Sequence, residues 1–221
     1  MDRTAYVTAD SRRRKCAEWL SAIDSERGRA VPAELGRTVL LAIDLQALFI
    51  DPSSPAYLPA WAAAESRAFG LVEAFLNRRF PVVFTRHVHD TGDSGGVLGH
   101  FFDRLLLRDD PLSQLTPRAA GFSPPAIIHE KRTHAAFAEA VPRAVARADT
   151  AVLVGVQSHL CIMATALDLA RLNVIPVVVA DAVAAPTEEL HLAALRVLAS
   201  AHAHVVTSDE LAGLLTEEPV V

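Results

Sequence analysis

Three reactive side chains each follow an apolar run in this sequence, at points where β-strands would end. Asp44 closes the run TVLLAID, Lys131 follows AIIHE, and Cys161 comes shortly after AVLVGV. If these runs are parallel strands, their carboxyl ends meet at one edge of the sheet, where open α/β sheets bind their ligands. A thiol, an acid and an amine at one edge are suited to nucleophilic attack on a carbonyl carbon.

Cys161 is the candidate nucleophile. A helical pattern begins near Leu160, so the sequence predicts that Cys161 lies in the first turn of a helix. The positive end of a helix dipole lowers the pKa of a thiol from about 8.5, and the free N–H groups there can bind an oxyanion. The alternative is a small buried apolar residue, a common role of free cysteine. Cys16 lies in a charged amphipathic stretch and is predicted to be inert.

The base that would take the thiol proton is open at this level. His159 lies two residues before Cys161, but side chains at that spacing near a helix start usually point apart. Asp44 is the other candidate, since a carboxylate at the end of a buried strand can exchange a proton with a thiol. Lys131 could stabilise the developing negative charge. From position alone, Asp44 could equally be a loop or capping acid, and Lys131 a surface residue.

The elements that would position these groups alternate between strands and helices. The strand candidates are almost continuously apolar, which is typical of strands buried on both faces of a parallel sheet. The pattern predicts an α/β fold, a three-layer α/β/α sandwich around a mostly parallel six-stranded sheet. The predicted strands are Thr38–Asp44, Pro81–Arg86, Ala126–Glu130, Ala151–Val156, Ile175–Asp181 and Ala203–Thr207. The predicted helices are Ala60–Arg79, Phe137–Ala148, Leu160–Leu172, Glu188–Ala201 and Ser208–Leu215, the last capped by Ser208.

Two segments fall outside this alternation. Residues 1–37 are predicted to form an N-terminal extension with a helix around Arg12–Ile23, preceding a domain at 38–221. The segment His87–Pro125 is long and irregular, with a short helix near Leu98–Leu107, and long loops in compact domains usually have a function or are disordered. Its glycine-rich part is expected to form a lid or an oligomer contact.

Composition narrows the class of protein. The chain has 221 residues and a net charge of −5, which argues against nucleic acid or an anionic membrane as a partner. The basic run Arg12–Lys15 is interpreted as a solvated helix end. No apolar segment approaches the roughly 20 residues of a membrane span, and the N-terminus lacks the apolar centre of a secretion signal. With two cysteines and no disulfide framework, a cytoplasmic protein is expected.

Four segments in order resemble the isochorismatase-like superfamily, in particular its cysteine hydrolases, which include nicotinamidases and N-carbamoylsarcosine amidase. LLAIDLQALF is similar to a strand ending in Asp-x-Gln-x-x-Phe, and HEKRTHAAF to Lys-x-x-x-Ser-Ala-Phe, with Ala135 in place of the serine. VLVGVQSHLCIMATALDL is similar to Gly-Val-x-Thr-x-x-Cys-x-x-x-Thr-Ala-x-Asp, with Ser158 in the threonine position, and VVVADAVAA to the strand that follows.

The resemblance implies an isochorismatase-like hydrolase fold and a catalytic triad of Asp44, Lys131 and Cys161. The cysteine would form a thioester while the aspartate relays protons. The backbone N–H groups of Gln157 and Cys161 would form the oxyanion hole, with a cis peptide bond between Val156 and Gln157. The isochorismate-cleaving branch lacks this cysteine, so its presence here favours hydrolysis of a small amide, carbamoyl or ureido compound.

The resemblance also bears on ligands. Nicotinamidases bind a metal through an Asp-x-His pair, and the matching positions here are His87 and His89. These two residues and His100 could still bind a metal, but we expect no metal and no other cofactor. Phe49 and Phe137 are predicted to line the substrate pocket. The polar substrate-binding candidates are Arg86, which would pair with an anionic group, and His87, His134, Gln157 and His159.

Two other classes of function are alternatives for this sequence. A non-catalytic homologue that binds a small metabolite is the main alternative, but the complete set of Asp44, Lys131 and Cys161 counts against it. A thiol-based redox protein is less favoured, because no second cysteine lies near Cys161 in the sequence. The apolar content and the N-terminal extension favour a homo-oligomer.

Overall fold

The computed structural model describes residues 4–28, 36–102 and 104–216, and it contains a six-stranded sheet in which every strand pair is parallel. The strand order is β3-β2-β1-β4-β5-β6. The strands are β1 (Thr38–Ile43), β2 (Val82–His87), β3 (Ile127–Lys131), β4 (Thr150–Val156), β5 (Ile175–Ala184) and β6 (His204–Val206). All six predicted strands are confirmed, with ends that differ by a few residues, and the sheet is wholly parallel rather than mostly so.

Helices cover both sides of the sheet, as predicted for a three-layer sandwich. The helices are α1 (Arg12–Ala22), α2 (Ala47–Ile50), α3 (Trp61–Asn77), α4 (Pro117–Ala120), α5 (Arg143–Ala146), α6 (Met163–Arg171), α7 (Glu188–Ala201) and α8 (Ser208–Thr216). On one side α3 packs against α8 and the sheet, and on the other α6 packs against α7. The central strands β1 and β4 are buried along their whole length, because both faces are covered.

Three predictions about helices need correction. The helix predicted over Phe137–Ala148 is only the single turn α5, because Pro142 has extended backbone and a helix can begin only after it. The segment predicted to be helical near Leu98–Leu107 contains instead a 3₁₀ turn at Gly96–His100.

The third correction concerns the start of α8. Its N-cap is Thr207 and not Ser208: the Thr207 hydroxyl accepts a hydrogen bond from the Glu210 N–H at 2.9 Å, and the Glu210 carboxylate accepts one from the Thr207 N–H at 2.7 Å. Ser208 instead donates two hydrogen bonds to Asp181, both at 2.7 Å. They tie α8 to the middle of β5, which extends beyond Asp181 to Ala184.

The N-terminal helix α1 is attached to the body of the protein. Trp19 and Ile23 are buried in the common hydrophobic core. At the start of α7, the carboxylate of Glu188 accepts hydrogen bonds from the Trp19 indole N–H at 2.8 Å and from the Lys15 ammonium at 2.9 Å. Within the described residues, none of the helices combines the length and the apolar character needed to cross a membrane.

Candidate active site

Asp44 follows β1 and lies at the carboxyl edge of the sheet with its side chain fully buried. Its backbone has φ of 52°, a left-handed conformation that is sparsely populated outside glycine and is often found at functional sites. The Thr85 hydroxyl on β2 accepts a hydrogen bond from the Asp44 N–H at 3.0 Å and donates one to Asp44 Oδ1 at 2.6 Å. Thr85 therefore fixes both the backbone and the carboxylate of Asp44.

Lys131, the last residue of β3, lies between the acid and the thiol. Its Nζ is 2.9 Å from Asp44 Oδ2 and donates to Cys161 Sγ at 3.4 Å. It also donates to the Thr133 carbonyl at 2.9 Å, so this buried ammonium has several acceptors around it. The structure thus brings together the acid, the amine and the thiol that the sequence placed at the ends of three strands.

Two backbone features place Cys161 beside this ion pair. Gly155 in β4 has φ of 112°, and a Cβ atom there would lie 2.2 Å from the carbonyl oxygen of Ile43, so only glycine lets β4 approach the end of β1 this closely. The next peptide bond but one, between Val156 and Gln157, is cis. Cys161 follows in a π-helical turn, Ser158–Ile162, which leads into α6.

The protonation states of the three groups follow from burial and charge. Burial opposes ionisation of Asp44, but the charges of Lys131 and His87 and the Thr85 hydrogen bond outweigh it and lower its pKa. Burial likewise disfavours the Lys131 ammonium, but the neighbouring Asp44 and Cys161 raise its pKa. Asp44 and Lys131 are therefore both ionised at neutral pH.

The expectation of a lowered thiol pKa is wrong for the resting protein. Burial raises the pKa of Cys161 to about 12, and the opposing charge of Lys131 only partly offsets this. Cys161 is just 6% exposed, and it lies in a π turn ahead of α6 rather than in the first turn of an α-helix. The resting side chain is therefore a thiol, and its proton must leave when the sulfur attacks. Asp44 Oδ2 can receive it, because this buried oxygen lies 2.9 Å from the Lys131 ammonium that also contacts the sulfur.

His134 and His159 differ in their relation to the sulfur. Nδ1 of His134 is 3.7 Å from Cys161 Sγ, and its ring contacts Phe102 edge-on at 6.0 Å between centroids. His159, the alternative base, makes no hydrogen bond to the sulfur; its Nδ1 is buried with no hydrogen-bond partner among the described residues. The structure therefore favours Asp44 over His159 as the group that takes the thiol proton.

His87 and His89 form a hydrogen-bonded chain that starts at Lys131. The Lys131 ammonium can only donate, so His87 Nδ1 accepts at 3.4 Å and His87 carries its proton on Nε2. His87 Nε2 then donates to His89 Nε2 at 3.1 Å, and His89 Nδ1 donates to Asp93 at 2.9 Å. Burial, then the charge of Lys131, lowers the pKa of His87 to about 4, which agrees with a neutral ring.

This chain uses the ring nitrogens that a metal or a substrate would need. His100 is exposed on the 3₁₀ turn, and the described part of the chain contains no group of three or more His, Cys, Asp or Glu side chains that could hold a metal ion. In this arrangement the rings of His87 and His89 bond within the protein, and a metal site with His100 or a substrate contact by His87 stays a prediction.

The Arg86 guanidinium is bound by neighbouring protein groups, and its contact with substrate stays a prediction. Its guanidinium donates to the Ser113 carbonyl at 3.1 Å, to the Arg108 carbonyl at 2.7 Å and to Glu130 at 3.2 Å. These bonds hold the loop around Ser113 against β2, so Arg86 has a structural role in this arrangement. Of the pocket aromatics, Phe137 is buried in the core against the His129 ring, whereas Phe49 is partly buried at its edge.

A set of residues that support the site was not predicted from the sequence. Thr85 was the polar residue inside the apolar run PVVFTR, and that contrast was a usable signal. His191 on α7 is fully buried, and its Nδ1 is 3.0 Å from the Ser158 hydroxyl in the turn that carries Cys161. Trp19 packs on the His191 ring at 4.4 Å between centroids, a contact between distant segments that no local pattern predicts.

The fold is that of one known family. Residues 38–210 match the model of the isochorismatase domain, and the chain therefore belongs to the isochorismatase family. The search of curated proteins gave no match.

Several solved structures of hydrolases are similar to this chain. A cysteine hydrolase from Pseudomonas syringae pv. phaseolicola 1448A has 21% identity and a TM-score of 0.75, covering 86% of this chain and 95% of that one. A pyrazinamidase/nicotinamidase from Streptococcus mutans UA159 has 25% identity and a TM-score of 0.69, covering 76% of this chain and 99% of that one. N-carbamoylsarcosine amidase from Thermoplasma acidophilum has 23% identity and a TM-score of 0.63, covering 78% of this chain and 96% of that one.

Proposed function

We propose that this protein is a cysteine-dependent hydrolase that cleaves a C–N bond of a small amide, carbamoyl or ureido compound through a thioester on Cys161. The observation that carries the proposal is the position of Lys131 Nζ, 2.9 Å from Asp44 Oδ2 and 3.4 Å from Cys161 Sγ. The cysteine hydrolase, nicotinamidase and amidase among the similar structures support the same reaction class.

The first half of the reaction forms the thioester. As Sγ attacks the carbonyl carbon, its proton moves to Asp44 Oδ2, and Lys131 then pairs with the developing thiolate instead of the carboxylate. The charge in the buried site does not change, so the transfer avoids the large cost of creating a new buried ion. Collapse of the tetrahedral intermediate expels the nitrogen, which takes the proton from Asp44 and leaves as ammonia or an amine.

The oxyanion of this intermediate needs donors at the cis turn. We propose the backbone N–H groups of Gln157 and Cys161, as the family resemblance implies. The turn is held in place by hydrogen bonds from the N–H groups of Leu160 and Ile162 to the Gln157 carbonyl, both at 3.1 Å. Water then hydrolyses the thioester and restores the thiol.

The test is ammonia release from a panel of nicotinamide, N-carbamoyl amino acids and biuret. We expect turnover of at least one compound, and no detectable turnover by Cys161→Ala, which keeps the fold because it removes one atom from a small side chain. Cys16→Ala is the matched control and should retain wild-type turnover. Full activity in Cys161→Ala would exclude the thioester mechanism.

A small-metabolite-binding homologue without activity is the second candidate function. If this function is correct, some compounds should raise the midpoint of thermal unfolding without being consumed. Mass spectrometry should then detect no acyl adduct on Cys161. The arrangement of Asp44, Lys131 and Cys161 favours the enzyme, because binding alone would not require a buried acid and amine beside a thiol.

We also propose a cytoplasmic homo-oligomer. Ile127 and Ile128 on the edge strand β3 are 42% and 44% exposed, and apolar side chains on a sheet edge are usually covered. The two free cysteines suit a reducing compartment. Light scattering after size exclusion would show a mass above that of one chain, and Ile127→Lys should lower it.

A further inference from the structure

The sulfur of Cys161 has a closed side and an open side. On the closed side, Asp44 has no solvent-exposed surface, its Oδ1 accepts from Thr85, and its Oδ2 faces Lys131. This suits a proton transfer between the thiol and the carboxylate, because both contact the same Lys131 ammonium. It does not suit activation of a water molecule that must enter from solvent, because such a water would have to displace Lys131 or Thr85.

On the open side, His134 Nδ1 lies 3.7 Å from Sγ, and the residue is partly exposed. Its position is fixed by its own backbone, since Lys131 Nζ donates to the His134 carbonyl at 3.4 Å. The Thr133 hydroxyl also donates to the Ala135 carbonyl at 2.8 Å, which closes the turn around His134. The imidazole is therefore held next to the bond that hydrolysis must break, where water can reach it.

Resting on the proposed function, we propose that His134 is a second catalytic residue, the base that activates water for hydrolysis of the Cys161 thioester. His134 Nδ1 takes one proton from the water as its oxygen attacks the thioester carbonyl. The tetrahedral intermediate then expels the sulfur, the proton returns from the imidazolium to Sγ, and the free carboxylic acid leaves. No oxidant, metal or further reactant takes part.

The environment of His134 suits a base at neutral pH. Partial burial, then the charge of Lys131, lowers its pKa, so the ring is neutral and can accept a proton. His159 is a poorer candidate for this step, because its unpartnered Nδ1 is buried and it has no contact with Sγ among the described residues. The two halves of the reaction are thereby divided between Asp44, which serves acylation, and His134, which serves deacylation.

The experiment uses p-nitrophenyl acetate, an activated ester that acylates thiols without needing the natural substrate. In the full-length wild type, release of p-nitrophenolate should be steady, with little acetyl group on Cys161. In His134→Phe we expect a burst of about one equivalent per site, followed by a steady phase that is roughly 10²- to 10⁴-fold slower, the range of general base catalysis. Intact-protein mass spectrometry should then show one acetyl group on Cys161.

Further variants separate catalysis from structure. His134→Ala should show the same burst, and added imidazole should restore its deacylation, an effect that a purely structural role would not produce. His202→Phe is the matched control, since His202 caps the C-terminus of α7, just before the outer strand β6. This variant should behave like wild type. His134→Gln replaces the aromatic substitution if His134→Phe does not fold.

Two results would overturn the proposal, and they are distinguishable. Acetylation of Cys161 that clears at the wild-type rate in the His134 variants would remove the role of His134 and leave the thioester mechanism intact. Absence of any acetyl group on Cys161 in every variant, with unchanged ester cleavage in Cys161→Ala, would remove both.

Discussion

The two cysteines of this protein lie in regions that resemble each other in burial and differ in chemistry. Cys16 is 5% exposed and Cys161 is 6% exposed, and burial raises the pKa of each to about 12. At Cys16 the charges of Asp181 and Glu210 act in the same direction as burial and contribute to this raised pKa. At Cys161 the next influence is Lys131, which lowers it.

The comparison shows that thiolate content at rest does not distinguish the nucleophile from the inert thiol. The difference is the set of groups in contact with the sulfur. The Cys161 sulfur contacts an amine and an imidazole, and the amine is paired with the Asp44 carboxylate, whereas the acids near Cys16 influence it through their charge. A raised pKa in the free protein is compatible with catalysis when the proton has a local acceptor.

The largest expected effect comes from removing that acceptor. Asp44→Asn should lower kcat/KM by roughly 10³-fold, within the range for loss of a general base, because a neutral amide cannot take the thiol proton. Steady-state kinetics on the best compound of the amide panel would measure it. Cys16→Ala should leave kcat/KM unchanged, because Cys16 takes no part in the reaction. Equal losses in the two variants would end the distinction between the two sites.

The next effect concerns stability. Lys131→Met leaves the Asp44 carboxylate buried without its cation, and loss of one partner of a buried ion pair costs about 3–5 kcal/mol. Urea unfolding would measure this, with Cys16→Ala expected to cost about 1 kcal/mol. Adding Asp44→Asn to Lys131→Met should recover part of the loss. A Lys131→Met variant as stable as Cys16→Ala would contradict the buried ion pair.

A glycine pair tests how far the backbone determines the region of Cys161. Gly155→Ala should lower the free energy of unfolding by about 2 kcal/mol or more, because φ of 112° and contact with the Ile43 carbonyl both exclude a Cβ atom. Gly70→Ala in α3 has open space around it and should instead raise stability by about 0.5–1 kcal/mol. Stabilisation in both variants would show that β1 and β4 approach less closely than the structure indicates.

The last prediction is a pH dependence at His191, which links the N-terminal helix to the nucleophile turn. Burial lowers the pKa of His191 from 6.5 to about 4. Below pH 6.5 the unfolded chain binds a proton there that the folded chain does not, so stability is full above 6.5 and falls as pH drops towards 4. His191→Gln should flatten unfolding free energy against pH by up to about 1.4 kcal/mol per pH unit in this range. An unchanged slope would contradict the buried neutral ring.

The sheet was predictable because its strands are buried on both faces, which leaves a continuous apolar run in the sequence. The end of the helix predicted over Phe137–Ala148 was not predictable from periodicity. The apolar pattern continues through Pro142, but a helical backbone cannot continue through a proline at that point. The cap of α8 was misplaced by one residue, since Thr207 and Ser208 are both good N-caps and only Asp181, distant in sequence, decides between them.

The candidate site was predictable in its members and not in its electrostatics. Asp44, Lys131 and Cys161 end or follow strands, so their approach follows from the parallel sheet. The pKa of the thiol depends on how much protein covers it, and the engagement of Arg86 depends on a loop far along the chain. Neither the coverage of the thiol nor the loop that Arg86 contacts is encoded in local sequence, so neither could be predicted from it.

The attachment of the N-terminal helix has a practical consequence for work with this protein. Versions trimmed to residues 38–210, the span of the family match, would lack the Trp19 ring that covers His191 and the cation that balances Glu188. The activity and the thermal stability measured on such versions would differ from those of the full chain. Purification tags are better placed where they leave the first helix free to dock.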